Sequence, residues 1–242
     1  MSGYRSRIYQ NYVHGRQEAL APSDLNGFKP RSAHLRKLIR EHFPANREAN
    51  IVDLGCGHGA LVYFARTMGY RNVLGLDTSP AQVAEAKRLA IEGVRQADLM
   101  DGLSALPDAS QDLVVAFDVI EHFTKDELLK FVDQVRRVLK PGGRWLLHTP
   151  NGESPFGSRM RYWDFTHEQA FTRESISQLL LTSGFSSVAC YEDQPVAHGA
   201  KSAVRLVLWK MLRTGLRLWV AIETGSGKGC IFSQNFLVAA EK

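Results

Sequence analysis

Ile51-Val52-Asp53-Leu54-Gly55-Cys56-Gly57-His58-Gly59 is the stretch on which the fold turns. Its opening residues read as a buried strand, and glycine at every second position then makes a turn into a helix running from Ala60 to about Met68. Glycines adopt φ > 0 and leave room where a Cβ would keep a ligand away from backbone N–H groups. Gly55, Gly57 and Ala60 also satisfy the dinucleotide pattern G-x-G-x-x-G/A. The turn alone therefore leaves an ordinary strand-to-helix connection and a nucleotide cradle both open.

Working outward, Asp77 closes the apolar run Val73-Leu74-Gly75-Leu76 and stands at the carboxyl tip of a second strand. A carboxylate there can accept both hydroxyls of a ribose. Asp98 ends a third short segment from Gly93, and the run Asp112 to Phe117 delivers Asp118 to the same edge. A row of acidic strand ends repels a pyrophosphate. It suits a ligand carrying a sulfonium, an ammonium, a ribose and an adenine amino group.

Val52-Asp53-Leu54-Gly55-Cys56-Gly57-His58-Gly59, Gly75-Leu76-Asp77, Asp98-Leu99, Asp118-Val119-Ile120-Glu121-His122 and Leu139-Lys140-Pro141-Gly142-Gly143 together resemble the class I S-adenosylmethionine-dependent methyltransferases, over roughly residues 50–185. The resemblance implies S-adenosylmethionine as cofactor, with Gly55 to Gly59 around its methionine part, Asp77 on the ribose, and Asp98 and Leu99 at the adenine. Asp53, Cys56, Thr78, Asp118 and Val119 complete the implied cofactor set. The implied fold is a Rossmann-like three-layer α/β/α sandwich with a mainly parallel seven-stranded sheet whose last strand is antiparallel. A dehydrogenase is the rival reading, weakened by Asp53 and by Pro141-Gly142-Gly143.

The 242 residues, 44% hydrophobic, fit one α/β domain with elaborations. No apolar run of about 18 residues and no signal-like opening is seen, so the expected place is the cytoplasm. Cys56, Cys190 and Cys230 are too widely spaced for metal pairs or a disulfide framework and read as reduced thiols. A net charge of +5 is modest and does not single out nucleic acid as a partner. Its distribution is uneven, with one basic group in the first forty residues and another between Lys201 and Arg217.

Within that domain, 1–48 forms an amino-terminal flank whose aromatic lead segment, 1–30, either covers the active-site edge or packs against the sheet. A helix capped by Ser32 follows and ends before Pro44. The core, 49–149, alternates strands near 72–77, 93–98, 112–117 and 144–149 with helices near 80–91 and 125–139, the last stopped by Pro141-Gly142-Gly143. From 150 to 171 the pattern breaks into Gly, Pro, Ser and aromatics, as a substrate cap at a strand end would. A helix capped by Thr172 runs to Gly184, and strands near 185–192 and 230–239 finish the sheet.

Between those strands, in 193–229, Lys201 to Ile222 is rich in Leu, Val and Trp, carries five cations and has no acidic residue. It reads as a basic amphipathic helix, lying either on an anionic membrane surface with Trp209 and Trp219 as anchors, or against the domain or a second subunit. The chain is accordingly expected as a monomer or homodimer.

Methyl transfer from a sulfonium is an in-line displacement, helped mainly by positioning. A sugar hydroxyl, hardly ionised at neutral pH, additionally wants a base or a metal. His122, at the tip of the fourth strand, and His167, in the cap with Asp164 to orient an imidazole, are the candidate catalytic residues. Glu121, His122 and His167 also form a candidate divalent-cation set, resembling the pattern of metal-dependent small-RNA 2′-O-methyltransferases and quinone O-methyltransferases, although Asp118 stands where that pattern begins with Glu. The base is favoured over the metal. The cap, from Pro150-Asn151-Gly152 to Phe171-Thr172, is similar to methyltransferases of bacterial surface-polysaccharide assembly. That implies a sugar hydroxyl as acceptor, on a lipid-linked glycan at the inner membrane face. A quinone or other phenol is the alternative acceptor, and a non-catalytic cofactor-binding subunit the alternative of another class.

Overall fold

The structure, a computed structural model, describes residues 19–242 together with Tyr4 and Ile8. The remainder of the expected lead segment lies outside the described residues. The strands are β1 (Ile51–Leu54), β2 (Val73–Asp77), β3 (Val94–Gln96), β4 (Gln111–Phe117), β5 (Leu139–Pro150), β6 (Ser187–Glu192) and β7 (Asn235–Glu241). They form one sheet in the order β3-β2-β1-β4-β5-β7-β6. β1 to β5 pair in parallel, and β7 runs antiparallel to both of its neighbours, as expected.

The period of two along each strand sorts its side chains between two cores. Ile51, Leu113, Val115, Leu146 and Leu237 face α1 (Lys29–His42), α2 (Ala60–Thr67) and α3 (Pro80–Arg88). Val52, Val114, Ala116, Trp145 and Leu147 face α4 (Leu99–Ser104), α5 (Lys125–Val138) and α7 (Arg173–Thr182). On β5 this alternation sends His148 to the α1 side and Thr149 to the other, which separates two polar clusters described below. α6 (Gly157–Arg161) lies in the cap, and α8 (Ala200–Thr224) lies between β6 and β7.

α5 shows why these sequences hold their places. Thr124 accepts from the Glu127 amide while the Glu127 carboxylate accepts from the Thr124 amide, closing a capping box, and Phe131, Val132, Val135 and Val138 are fully buried along one face.

Three local expectations are corrected. α1 begins at Lys29, not at a Ser32 cap: Pro30, with its fixed φ, fits the first turn, and the Ser32 hydroxyl donates to the Lys29 carbonyl inside the helix. Pro141-Gly142-Gly143 does not stand between helix and strand but inside β5, because the chain end pairs with it. The Gly142 amide donates to the Lys242 carbonyl at 3.1 Å, and the Lys242 amide donates to Gly143 at 3.0 Å. The final strand starts at Asn235, not near 230, and α4, unanticipated, is nucleated by Asp98.

Candidate active site

β1 ends against the glycine turn, where Gly55, Gly57 and Gly59 all have positive φ. The Gly55 and Cys56 amides donate to the Leu76 carbonyl at 2.8 and 3.1 Å, tying the turn to the end of β2. A Cβ on Gly57 would meet nothing closer than 3.7 Å, so open space lies over the middle of the turn, as a ligand cradle requires. Beneath it, burial together with the Asp77 charge pushes the Asp53 carboxyl up to about 8. A buried acid held in that state gains from a neighbouring cation, and the ammonium of S-adenosylmethionine would supply one. The residues present therefore fit that cofactor.

Asp77 also has a structural task. It accepts from the Gly57 amide at 2.7 Å and from the Ser79 amide at 2.8 Å, joining the turn to the start of α3. Thr78 beside it is exposed. Asp98 caps α4 by accepting from the Met100 and Asp101 amides at 2.9 and 3.4 Å, and Leu99 is half-buried against the core. Asp118 takes a left-handed φ of 55°, rare for a non-glycine residue, and Val119 beside it is buried against Gly55. All these groups reach the carboxyl edge of the sheet, where doubly wound α/β proteins bind ligands.

The second part of the site is assembled by the cap. The Glu168 and Gln169 amides both donate to the Glu121 carbonyl, and the Gln169 side chain donates to the Phe123 carbonyl at 2.8 Å. These bonds bring His167 to His122, with ring centroids 4.8 Å apart in a T-shaped arrangement. The Thr166 hydroxyl donates to Asp164 Oδ1 at 2.7 Å and lies 2.9 Å from His122 Nδ1. Its single proton being committed to Asp164, the hydroxyl accepts from Nδ1–H, which makes Nε2 the lone-pair nitrogen of His122. Asp164 thus reaches the His122 imidazole only through Thr166. Burial, with the His167 ring adding to it, lowers His122 to about 4, so the ring is neutral at pH 7.

Glu121, His122 and His167 offer ligand atoms within 4.8 Å of one another. His167 Nδ1 is 3.1 Å from the Met160 carbonyl, leaving Nε2 as its inward donor. Burial and the Asp118 charge push Glu121 up to about 8, and Thr149 donates to its Oε2 at 3.2 Å. Two imidazoles and a carboxyl fit a divalent cation, which would supply Lewis acidity to adjacent hydroxyls.

Sequence reasoning missed the cluster on the opposite face. His148 Nδ1 lies 2.8 Å from Asp118, its Nε2 3.7 Å from Asp193, and His34 sits 3.7 Å from the other Asp193 oxygen. Burial opposes the charge on His148, but the two carboxylates outweigh it and hold the imidazolium up to about 10. The available signal was the period of two in Trp145-Leu146-Leu147-His148, which places a polar ring on a buried face. The cluster borders a cavity of about 770 Å³ between α1 and β5, β7 and β6.

The cap's aromatic residues do not pack beneath it. Tyr162, Trp163 and Phe165 are 77%, 60% and 78% exposed, while Asp164 and Thr166 between them are buried. Tyr4 stands edge-on to Phe165, with centroids 5.8 Å apart, and its hydroxyl bonds Glu168.

Comparison with known proteins bears on the family and the fold. Residues 28–189 match the family of methyltransferase domains. The probable S-adenosylmethionine-dependent methyltransferase of Mycolicibacterium smegmatis is 35% identical over 153 residues, 62% of this chain and 56% of that protein. The malonyl-[acyl-carrier protein] O-methyltransferase of Enterobacter lignolyticus is 30% identical over 151 residues, 62% of this chain and 58% of that one. The chain thus spans little more than half the length of these relatives. Among solved structures, a SAM-dependent methyltransferase from Archaeoglobus fulgidus superposes with a TM-score of 0.67 at 17% identity, covering 97% of this chain and 99% of that one. Haemonchus contortus phosphoethanolamine N-methyltransferase 2, in complex with S-adenosyl-L-methionine, gives 0.59 at 17% identity, covering 97% and 56%. With its matched segment covering more than half of the residues and its seven-stranded sheet shared with these structures, the chain belongs to the methyltransferase domain family.

Proposed function

We propose that this protein transfers the methyl group of S-adenosylmethionine to a hydroxyl of a sugar, on a lipid-linked surface glycan at the cytoplasmic face of the inner membrane. The observation that carries the reading is the oriented, neutral His122 beside a cap that presents Tyr162, Trp163 and Phe165 to solvent. Aromatic faces stack on sugar rings while polar groups fix their hydroxyls. S-adenosylmethionine, when bound, supplies an electrophilic methyl on a sulfonium. The chain's own residues have two tasks. Gly55 to Gly59, Asp53 and Asp77 hold the donor, and His122 Nε2 takes the hydroxyl proton as the oxygen attacks, its Nδ1–H fixed by Thr166 and Asp164. Burial of Asp164 and Thr166 keeps that relay rigid.

Incubation with labelled S-adenosylmethionine and separate fractions of lipid-linked glycans, quinone precursors and RNA tests the acceptor. Label is expected in the glycan fraction. Label in the quinone fraction alone, or in none, overturns the assignment.

A further inference from the structure

We infer that α8 lies in the surface of an anionic phospholipid bilayer, seated on the face it turns away from the domain. Helical geometry divides its 25 residues into two stripes. Ser202, Leu206, Trp209, Arg213, Leu216 and Val220, at i, i+4, i+7, i+11, i+14 and i+18, are half-buried toward the domain. The opposite stripe carries Val204, Leu208, Met211, Leu212, Trp219 and Ile222, each between 55% and 76% exposed.

The domain-facing stripe is anchored. The Arg213 guanidinium donates to Glu192 at 3.0 Å and lies over the Trp209 ring, 4.6 Å from its centroid. Packing on its own domain therefore accounts for one stripe and leaves the apolar one unexplained. A continuous apolar face of this length marks an interaction surface.

Charge decides what covers it. Arg205 borders the apolar stripe on one side, Lys201 lies at its amino-terminal end, Lys210 and Arg217 lie between its other side and the domain-facing stripe, and within the helix no acidic residue occurs before Glu223. Aliphatic stems of flanking Lys and Arg can reach from such a stripe to phosphates while Trp sits at the interface. In a twofold dimer the same five cations would be brought together with only Glu223, in the last turn of the helix, to offset them. An anionic bilayer supplies the missing charge. No described helix is long and apolar enough to cross a membrane, so α8 lies on the surface and does not span it.

The inner stripe also borders a cavity of about 480 Å³, lined by Arg205, Trp209 and Arg213 of α8, by Met160 of the cap and by Asn235. Seating the outer stripe on lipid would hold this edge of the cap one helix diameter, about 10 Å, from the bilayer surface. That a lipid-linked acceptor reaches the cap from there rests on the proposed function, whereas lipid binding itself does not.

The test is sedimentation of the full chain with vesicles of phosphatidylcholine and 30 mol% phosphatidylglycerol, against phosphatidylcholine alone. Binding is expected only to the anionic vesicles and should weaken as salt is raised. Arg205→Gln, Lys210→Gln and Arg217→Gln combined should weaken it about 10²-fold, at about fivefold per charge. In a Trp163→Phe background, binding should shift Trp219 emission to the blue, and Trp219→Phe should abolish the shift while Trp209→Phe leaves it. Leu212→Glu with Trp219→Glu should release the protein from vesicles without changing its melting curve, since neither side chain packs on the domain. A wild-type protein that stays in solution at low salt, or binds equally to neutral vesicles, or shows the shift with Trp219→Phe, overturns the proposal. So does concentration-dependent dimerisation that excludes vesicle binding, which would assign the apolar stripe to a second copy.

Discussion

Asp77 accepts from two backbone amides, and this changes what its replacement tests. Asp77→Ala leaves the Gly57 and Ser79 N–H groups without their acceptor, so it should lower stability by about 1–3 kcal/mol and weaken S-adenosylmethionine as well. Gly57 and Ser79 bond different Asp77 oxygens, so Asp77→Asn keeps only one of the two acceptors and should destabilise less than Asp77→Ala. Calorimetry on the folded variants should show donor affinity reduced by about 1.5–3 kcal/mol, and unchanged affinity in both would remove the ribose role. His122 divides base from metal. As a base, His122→Ala should lower turnover about 10²- to 10⁴-fold while donor binding survives, and a chelator should have no effect. Because burial holds the ring at about 4, the active neutral form persists as pH falls, and kcat/KM should decline only below about pH 5. Thr166→Val, which removes the hydroxyl that orders Nδ1, should reproduce part of the loss. If instead chelation abolishes activity, added Mg²⁺ or Mn²⁺ restores it, and Glu121→Ala is as damaging as His122→Ala, then the Glu121, His122 and His167 set is a metal centre.

Among the elements, α8 depends on one ion pair more than on apolar packing, since it has no fully buried residue. Glu192 accepts from Arg213 and from the Phe232 amide at 2.9 Å, and the paired side chains are only 15% and 11% exposed. Glu192→Ala strands both donors and should loosen α8 at a cost of about 1.5–3 kcal/mol, read as faster amide exchange confined to residues 200–224. Exchange unchanged across α8 would show that the pair does not anchor it. Its far end closes on Gly225, whose φ of 83° ends the helix in the left-handed region. The amphipathic character of α8 was readable from its composition. Which of its faces the domain takes was not, because that depends on Glu192, which lies in another element and gives no periodic signal.

At the scale of the whole molecule, His148 couples α1, β5 and the end of β4 through Asp118, Asp193 and His34. Its folded value of about 10 lies above an ordinary histidine, so the stabilisation it brings is complete below about pH 6.5 and is lost as pH rises through 10. Asp118 is 57% exposed, so solvent screens the pair and the contribution should be about 1–2 kcal/mol. Thermal melts from pH 6 to 10 should show wild-type stability falling and His148→Gln both less stable at pH 6 and flatter across the range. Parallel curves would deny His148 this role. The chain's own order determined a great deal of this architecture. Strand-to-helix alternation gave the parallel sheet, the spaced glycines after β1 gave the open turn, and acidic residues at strand ends lined the carboxyl edge of the sheet. All are local, set by backbone period, φ restriction and charge within a few residues. Only tertiary structure decided the rest. Pairing with Lys242 drew Pro141-Gly142-Gly143 into β5, and the hydrogen bonds of the cap to Glu121 and Phe123 carried His167 and Thr166 to His122. Strand alternation with long-range pairing also set His148 between two carboxylates. Such contacts join residues 30 to 100 positions apart, and their energy comes from burial and complementarity that no local pattern records.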